Sequence, residues 1–121
     1  MGDTSDISQY LPLKPAVSHI LLALAEHDAH GYAIMQTVRE RSRGAIRLET
    51  GPLYRHLHRL FESELVEEAD RHDRPEGEDP RRRTYHLTEL GRRVLSAEAA
   101  RLAELVEYSR SLHLLDHPQT A

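Results

Sequence analysis

The sequence predicts a mainly α fold with a small β-hairpin (α+β): a winged helix-turn-helix followed by a long C-terminal dimerisation helix. Three observations carry this expectation. Residues 50–68, TGPLYRHLHRLFESELVEE, read as an amphipathic helix running into a short strand. Residues 81–91, RRRTYHLTELG, read as the partner strand running into a new helix. Between them lies a charged loop with arginines at both ends, the pattern of a wing beside a helix shaped for the DNA major groove.

Taken in order, residues 1–12 show no period and are expected to form a flexible N-terminal arm. Pro12 and Pro15 bracket a helix start, since proline is tolerated in a first turn. Val17, Ile20, Leu21, Leu24 and Ala25 then recur at helical spacing, which predicts a first helix to about Glu26. Asp28–Gly31 is a turn signal, and Tyr32 to about Arg43 forms a second helix with Gly44 as its C-cap. Ala45–Leu48 alternates and predicts a very short strand. Thr50 is the expected N-cap of the third helix, with Pro52 in its first turn; Leu53, Leu57, Leu60 and Phe61 give it one apolar face. Leu65–Ala69 and Arg83–Leu87 are the wing strands, and Asp70–Arg82, with Pro75, Gly77 and Pro80, is the hairpin tip. The winged domain is thus expected over 13–87, a final helix capped by Thr88 over 88–115, and a tail over 116–121.

At 121 residues, one domain is expected. There is no cysteine, so no disulfide framework or thiolate chemistry, which fits a reducing cytoplasm. No apolar run approaches the length of a membrane span, and the acidic, polar start does not resemble a secretory signal. The net charge of −4 argues against nucleic acid, but its distribution argues for it. Residues 36–60 carry six arginines against Glu40 and Glu49, a local +4, whereas residues 61–70 carry five acids and no Lys or Arg. The positive charge lies where the recognition elements are expected. The alternative is a set of solvated surface arginines.

On a helical wheel the third helix sets Arg55, Arg59 and Glu62 opposite its apolar face, flanked by Gly51, Pro52 and His58, with Tyr54 on the border. The N-terminal part of such a helix enters the groove, so Thr50, Gly51, Pro52, Tyr54, Arg55, His58 and Arg59 are the candidate DNA contacts. Gly51 permits close backbone approach, and a helix N-terminus favours phosphate. Arg55 either reads guanine through two hydrogen bonds or binds phosphate; only the first carries sequence information. Tyr54 is alternatively a core-edge aromatic. The wing adds Arg71, Arg74, Arg81, Arg82 and Arg83. Side chains alternate along a strand, so at most two of the last three meet DNA.

On the final helix Leu95, Glu98, Leu102, Leu105, Ser109 and Leu112 recur in steps of three and four, and Val94 and Val106 widen the stripe. A helix this long outruns its own domain, so a homodimer through residues 88–115 is expected, with Leu95, Leu102, Leu105, Val106 and Leu112 at the seam. The alternative is a helix folded back on its own chain. Nine histidines invite a metal reading, but no third ligand falls at convincing spacing, so neither metal nor cofactor is expected. No glycine-rich phosphate loop, GxSxG or defined acid pair points to catalysis.

His30-Gly31-Tyr32, Gly51-Pro52-Leu53-Tyr54, Leu57-His58-Arg59-Leu60 and RRTYHLTELG over 82–91 together resemble the PadR family of bacterial transcriptional regulators. The resemblance covers about residues 13–110. It implies a winged helix-turn-helix with a dimerising C-terminal helix, repression of nearby genes and, in many cases, relief by a small molecule. The single terminal helix is similar to the short-tailed subgroup. Two departures stand out. Glu64 replaces the family's glycine before the first wing strand, which bears on the tightness of that turn. There is no tryptophan, so the stacking of flat aromatic molecules that some relatives imply has no counterpart here. A dimer cavity lined by leucines, valines and Tyr108 is left as the seat of a small apolar effector, with a filled interface as the alternative. The expected function is a dimeric repressor on double-stranded DNA carrying an inverted repeat, in the bacterial cytoplasm and on the nucleoid when bound. The competing reading is a winged-helix protein-interaction module that would use the acidic stretch Glu62–Asp70.

Overall fold

The structure, a computed structural model, describes residues 7–69 and 83–115. Helix α1 (Pro15–Glu26) starts on a proline, whose fixed φ suits a first turn and whose missing N–H costs no bond there. It buries Ile20, Leu21, Ala23 and Leu24. Strand β1 is only Ala29–His30, and helix α2 (Gly31–Arg41) follows at once, with the His30 ring accepting from the Ala33 N–H at 3.4 Å. Helix α3 (Thr50–Glu62), strands β2 (Val66–Ala69) and β3 (Thr84–Leu87), and helix α4 (Glu89–Ser111) complete the described elements. The result is mainly helical, with one small antiparallel sheet, a winged helix as the sequence predicts.

The sheet runs β1-β3-β2, with Ala29 opposite Tyr85 and Val66 opposite Leu87. The sequence places the extra short strand at 45–48; the structure places it at 29–30. Ile46 and Leu48 do alternate inward against the core, but the Ile46 N–H donates to the Ser42 hydroxyl at 3.0 Å and, among the described residues, no strand pairs with this segment. One core holds Ile34 and Val38 of α2, Leu53, Leu57 and Leu60 of α3, Leu65 and Val66 at the start of the wing, Tyr85 and Leu87 of β3, and Val94 of α4. Helix α1 packs on both α2 and α4.

Residues 7–12 differ from the expected loose arm. Ile7 is buried, and Tyr10 and Leu11 pack against the same core, because three apolar side chains gain by leaving water there. The strap is tied down where the Leu13 N–H donates to Glu98 Oε1 at 3.3 Å. Glu98, the one acid among the recurring seam positions of α4, is 2% exposed and meets Arg101 through two bonds of 2.9 and 2.7 Å. Its carboxyl is held below the usual range first by the Arg101 hydrogen bond and also by the Leu13 N–H, against the opposing effect of burial.

Helices α2, α3 and α4 stop in the same way, with a residue in the left-handed region just past the end: Arg43 (φ 55), Glu64 (φ 65) and His113 (φ 65). At α3 the Glu64 N–H donates to the Phe61 carbonyl and the Leu65 N–H to the Leu60 carbonyl, the paired bonds of a Schellman stop. Glu64 therefore holds a turn that a glycine would adopt more readily. Thr88 then caps α4 by accepting from Gly91 N–H at 2.9 Å, while its own hydroxyl donates to the Glu64 carbonyl at 2.7 Å. That helix ends at Ser111, short of the expected 115.

Candidate nucleic-acid interface

Helix α3 turns Leu53, Leu57 and Leu60 inward and leaves Gly51, Arg55, His58 and Arg59 exposed. The expected cap at Thr50 is corrected by one residue. Glu49 holds the extended cap conformation, Thr50 is already helical, and the Glu49 side chain makes no cap bond. The first N–H groups of α3 thus face outward without a side-chain acceptor, where the helix dipole favours an anion. A Cβ added to Gly51 would meet nothing nearer than Arg55 Nη1 at 3.9 Å, so the space in front of this backbone is open. Among the described residues, neither Arg55 nor Arg59 forms an ion pair.

The other predicted contacts are less free. His58 Nε2 lies 3.3 Å from Glu62 one turn on. Tyr54 is half-buried, and a Cβ added to Gly31 would overlap its hydroxyl, so the two glycine-containing motifs at 30–32 and 51–54 are one packing contact. That favours the core-edge reading of Tyr54. Arg83 is turned along the sheet toward Glu68 at 3.2 Å, with its Nε buried and without a partner. It walls a cleft of about 340 Å³ between α3 and the wing together with Tyr54, Leu57, Phe61 and Tyr85. Burial pushes the Tyr85 hydroxyl pKa up. Arg71, Arg74, Arg81 and Arg82 lie outside the described residues.

Charge in the 36–60 region is also less available than its count implies. Arg41 makes two bonds to Glu26, of 2.9 and 3.0 Å, joining the ends of α1 and α2. Sequence reasoning confined to the third helix missed a second surface. A cleft of about 280 Å³ beside α2 is lined by Tyr32, Met35, Gln36, Arg39, Arg47 and Leu48, with Tyr32 62% exposed. The outward tyrosine in the HGY motif was the available signal.

Among the described residues, no group of three His, Cys, Asp or Glu side chains is arranged to hold a metal ion. His86 bridges the sheet, with Nδ1 2.7 Å from Asp28 and Nε2 3.7 Å from Glu67. No described helix is long and apolar enough to cross a membrane.

Residues 20–97 match the PadR-like family of transcriptional regulators. The chain belongs to that family. PadR-like proteins are transcriptional regulators and not enzymes. The chain is 40% identical over 86 residues to an uncharacterised 37.1 kDa protein in a transposon of Streptomyces fradiae, spanning 71% of this chain but only 22% of that protein. It is 32% identical over 90 residues to an uncharacterised protein X of Lysinibacillus sphaericus, covering 74% and 80% of the two chains. Among solved structures, a transcriptional regulator from Clostridium thermocellum superposes with a TM-score of 0.63 at 20% identity, covering 92% of this chain and 97% of that one. A PadR family transcription regulator from Clostridium difficile gives 0.63 at 22% identity, covering 82% and 98%. These structures share the PadR-like fold.

The residues expected at a dimer seam on α4 differ in exposure. Leu95 is buried in its own domain, beside Val94 and Glu98. The exposed stripe begins later, with Leu102, Leu105, Val106, Tyr108 and Leu112, 42–65% exposed.

Proposed function

We propose that this PadR-like regulator is a sequence-specific DNA-binding dimer that represses transcription from an inverted-repeat operator. The observation that carries the reading is the outer face of α3. Two unpaired guanidiniums, an uncapped helix start and an open glycine backbone occur together where a winged helix meets a major groove. Arg55 takes the base-reading role. Thr50, Gly51, Pro52 and Arg59 approach the backbone, and the α2 cleft with Arg39 and Arg47 supports the helix that crosses the phosphates. Arg71, Arg74, Arg81 and Arg82 belong to the wing contact in this reading, and His58 joins them when released from Glu62. Two copies associate through Leu102, Leu105, Val106 and Leu112, and a small apolar effector seated against Tyr108 would release the DNA. The working place is the bacterial cytoplasm, on the nucleoid when bound.

Fluorescence anisotropy against the DNA upstream of the protein's own gene and a shuffled duplex, at low and near-physiological salt, tests the reading. Tighter binding to the native fragment that survives the higher salt is the expected result. Equal, weak and salt-labile binding to both, repeated in a genome-wide selection of bound DNA, would remove the sequence-specific claim. Sedimentation velocity tests the dimer: Leu105→Glu is expected to run as a monomer, and an unchanged profile excludes this seam.

One surface favours the interaction-module alternative. A cleft of about 620 Å³ beside the start of the wing combines Phe61, Val66 and Leu90 with Glu62, Glu64 and Glu67. DNA cannot use such a surface. Retention of a partner by a chain that binds no duplex would move the assignment there.

A further inference from the structure

A recognition helix lying in a major groove runs between two phosphate strands, so charge is useful on both of its flanks. At about 100° per residue, Tyr54, His58 and Phe61 project about 80–140° to one side of Leu53, toward the wing. His56 and Arg59 project about 60–120° to the other side. On this second flank a cleft of about 240 Å³ opens between α3 and the entry to α1. Lys14, His56 and Arg59 are its polar walls, and Leu13, Val17 and Leu60 form its apolar floor. Lys14 is exposed and forms the N-cap of α1 without a side-chain cap bond, so the first N–H groups of that helix lack a side-chain acceptor as well. No carboxylate is among the described residues that line the cleft. Glu98, which holds the Leu13 N–H, is turned into its pair with Arg101.

We propose that this cleft is a phosphate-group site that holds a backbone phosphate on the flank of α3 opposite the wing, with Lys14 and Arg59 as its cations and His56 as a proton-accepting contact. The proposal rests on the DNA-binding reading. The charged groups acting on His56 are Lys14 from the α1 entry and Arg55 and Arg59 from its own helix, and Tyr10 of the strap lines the same cleft. Burial first, and then these cations, hold the imidazole pKa below its usual value, so the free protein carries His56 neutral at neutral pH. A phosphate entering the cleft reverses the local field and favours the imidazolium. Binding then takes up a proton. The sign follows: the bound pKa exceeds the free one, so affinity rises as pH falls through the bound pKa and levels off below the free one.

Imidazole ¹⁵N shifts of the full chain, followed against pH with His56 assigned through His56→Gln, test this with two probes: a duplex and inorganic phosphate alone. The duplex is expected to raise the His56 midpoint. In parallel, anisotropy should show affinity rising several-fold between about pH 8 and about pH 6, with most of the rise absent in His56→Gln. Lys14→Ala should lower the salt slope of binding by about one phosphate contact. A His56 shift with inorganic phosphate as well would show that the site also takes free phosphate groups. Duplex binding with an unmoved His56 and an unchanged Lys14→Ala slope overturns the proposal and leaves the DNA reading standing. If no duplex binds, that reading fails and inorganic phosphate decides alone: a saturable His56 shift supports the site, and none ends it.

Discussion

At its N-terminal end, α3 has open space in front of it: a Cβ on Gly51 would reach only Arg55 Nη1 at 3.9 Å. Just past its C-terminal end the backbone joint is closed. The Schellman stop at Glu64 runs into β2, Thr88 bonds the Glu64 carbonyl, and the first turn of α4 presses on the same spot. A Cβ on Gly91 would overlap the Leu65 carbonyl oxygen and stand 2.7 Å from Leu87 Cδ1. Two glycines in one small domain thus have opposite reasons. Gly91 is required by the chain's own packing, whereas Gly51 is required by nothing inside the molecule, which is what an approach surface for a partner looks like. The closed end fixes α3 against both the wing and α4, so the open end is aimed by rigid contacts.

The largest expected effect breaks the closed end. Gly91→Ala drives a methyl into a backbone carbonyl that cannot rotate away, and should cost about 3 kcal/mol or more in thermal or urea denaturation. Gly51→Ala is the matched control. Its stability should change by less than about 0.5–1 kcal/mol, in the stabilising direction because alanine favours a helix, while duplex affinity falls. Equal losses of stability from the two would erase the contrast. Next in size, Arg55→Ala should weaken operator binding by about 1–3 kcal/mol and relax preference at one base pair, with an unaltered melting temperature. The same loss on every sequence would make Arg55 a phosphate contact instead.

Much of this was legible in the sequence. The apolar stripe of α3 (except Phe61, which is 40% exposed), the two wing strands and the cap at Thr88 all follow from local rules of period and capping, and they appear within a residue or two. The open face of α3 follows from the same wheel. What escaped depends on contacts between distant residues. Nothing local marks Ile7 as core or pairs Ala29 with Tyr85. Glu98 reads as a break in a leucine seam until the Leu13 N–H arrives from 85 positions away. His56 looks like a helix-surface residue until Lys14 folds over beside it. Leu95 shows the same limit: heptad spacing cannot distinguish a residue facing its own domain from one facing a second copy.

A smaller effect probes the strap that the sequence did not reveal. Glu98→Ala removes the acceptor of the Leu13 N–H and the partner of Arg101, and should cost about 1–2 kcal/mol near neutral pH. The sign of its pH dependence is fixed. The folded carboxyl titrates below its ordinary value of 4.5, so its contribution is complete above that value and is lost as pH falls through the folded pKa. Wild type and variant should therefore converge in acid, and a gap that persists there would mean the loss came from packing alone.

The smallest effect goes the other way. Glu64 occupies a left-handed position (φ 65) that costs a side-chain-bearing residue about 1 kcal/mol, and its carboxylate stands in the most acidic stretch of the chain. Glu64→Gly should remove the strain and one repulsive charge while losing some unfolded-state restriction, for a net gain below about 1 kcal/mol and a rise of a few degrees in melting temperature. The Glu64 N–H to Phe61, the Leu65 N–H to Leu60 and the Thr88 hydroxyl to the Glu64 carbonyl are backbone-directed bonds, so all three survive the change. DNA affinity should therefore hold while stability rises. A fall in stability would show that the Glu64 side chain contributes to the joint. A rise accompanied by weaker DNA binding would show that the closed end needs its strain to aim α3.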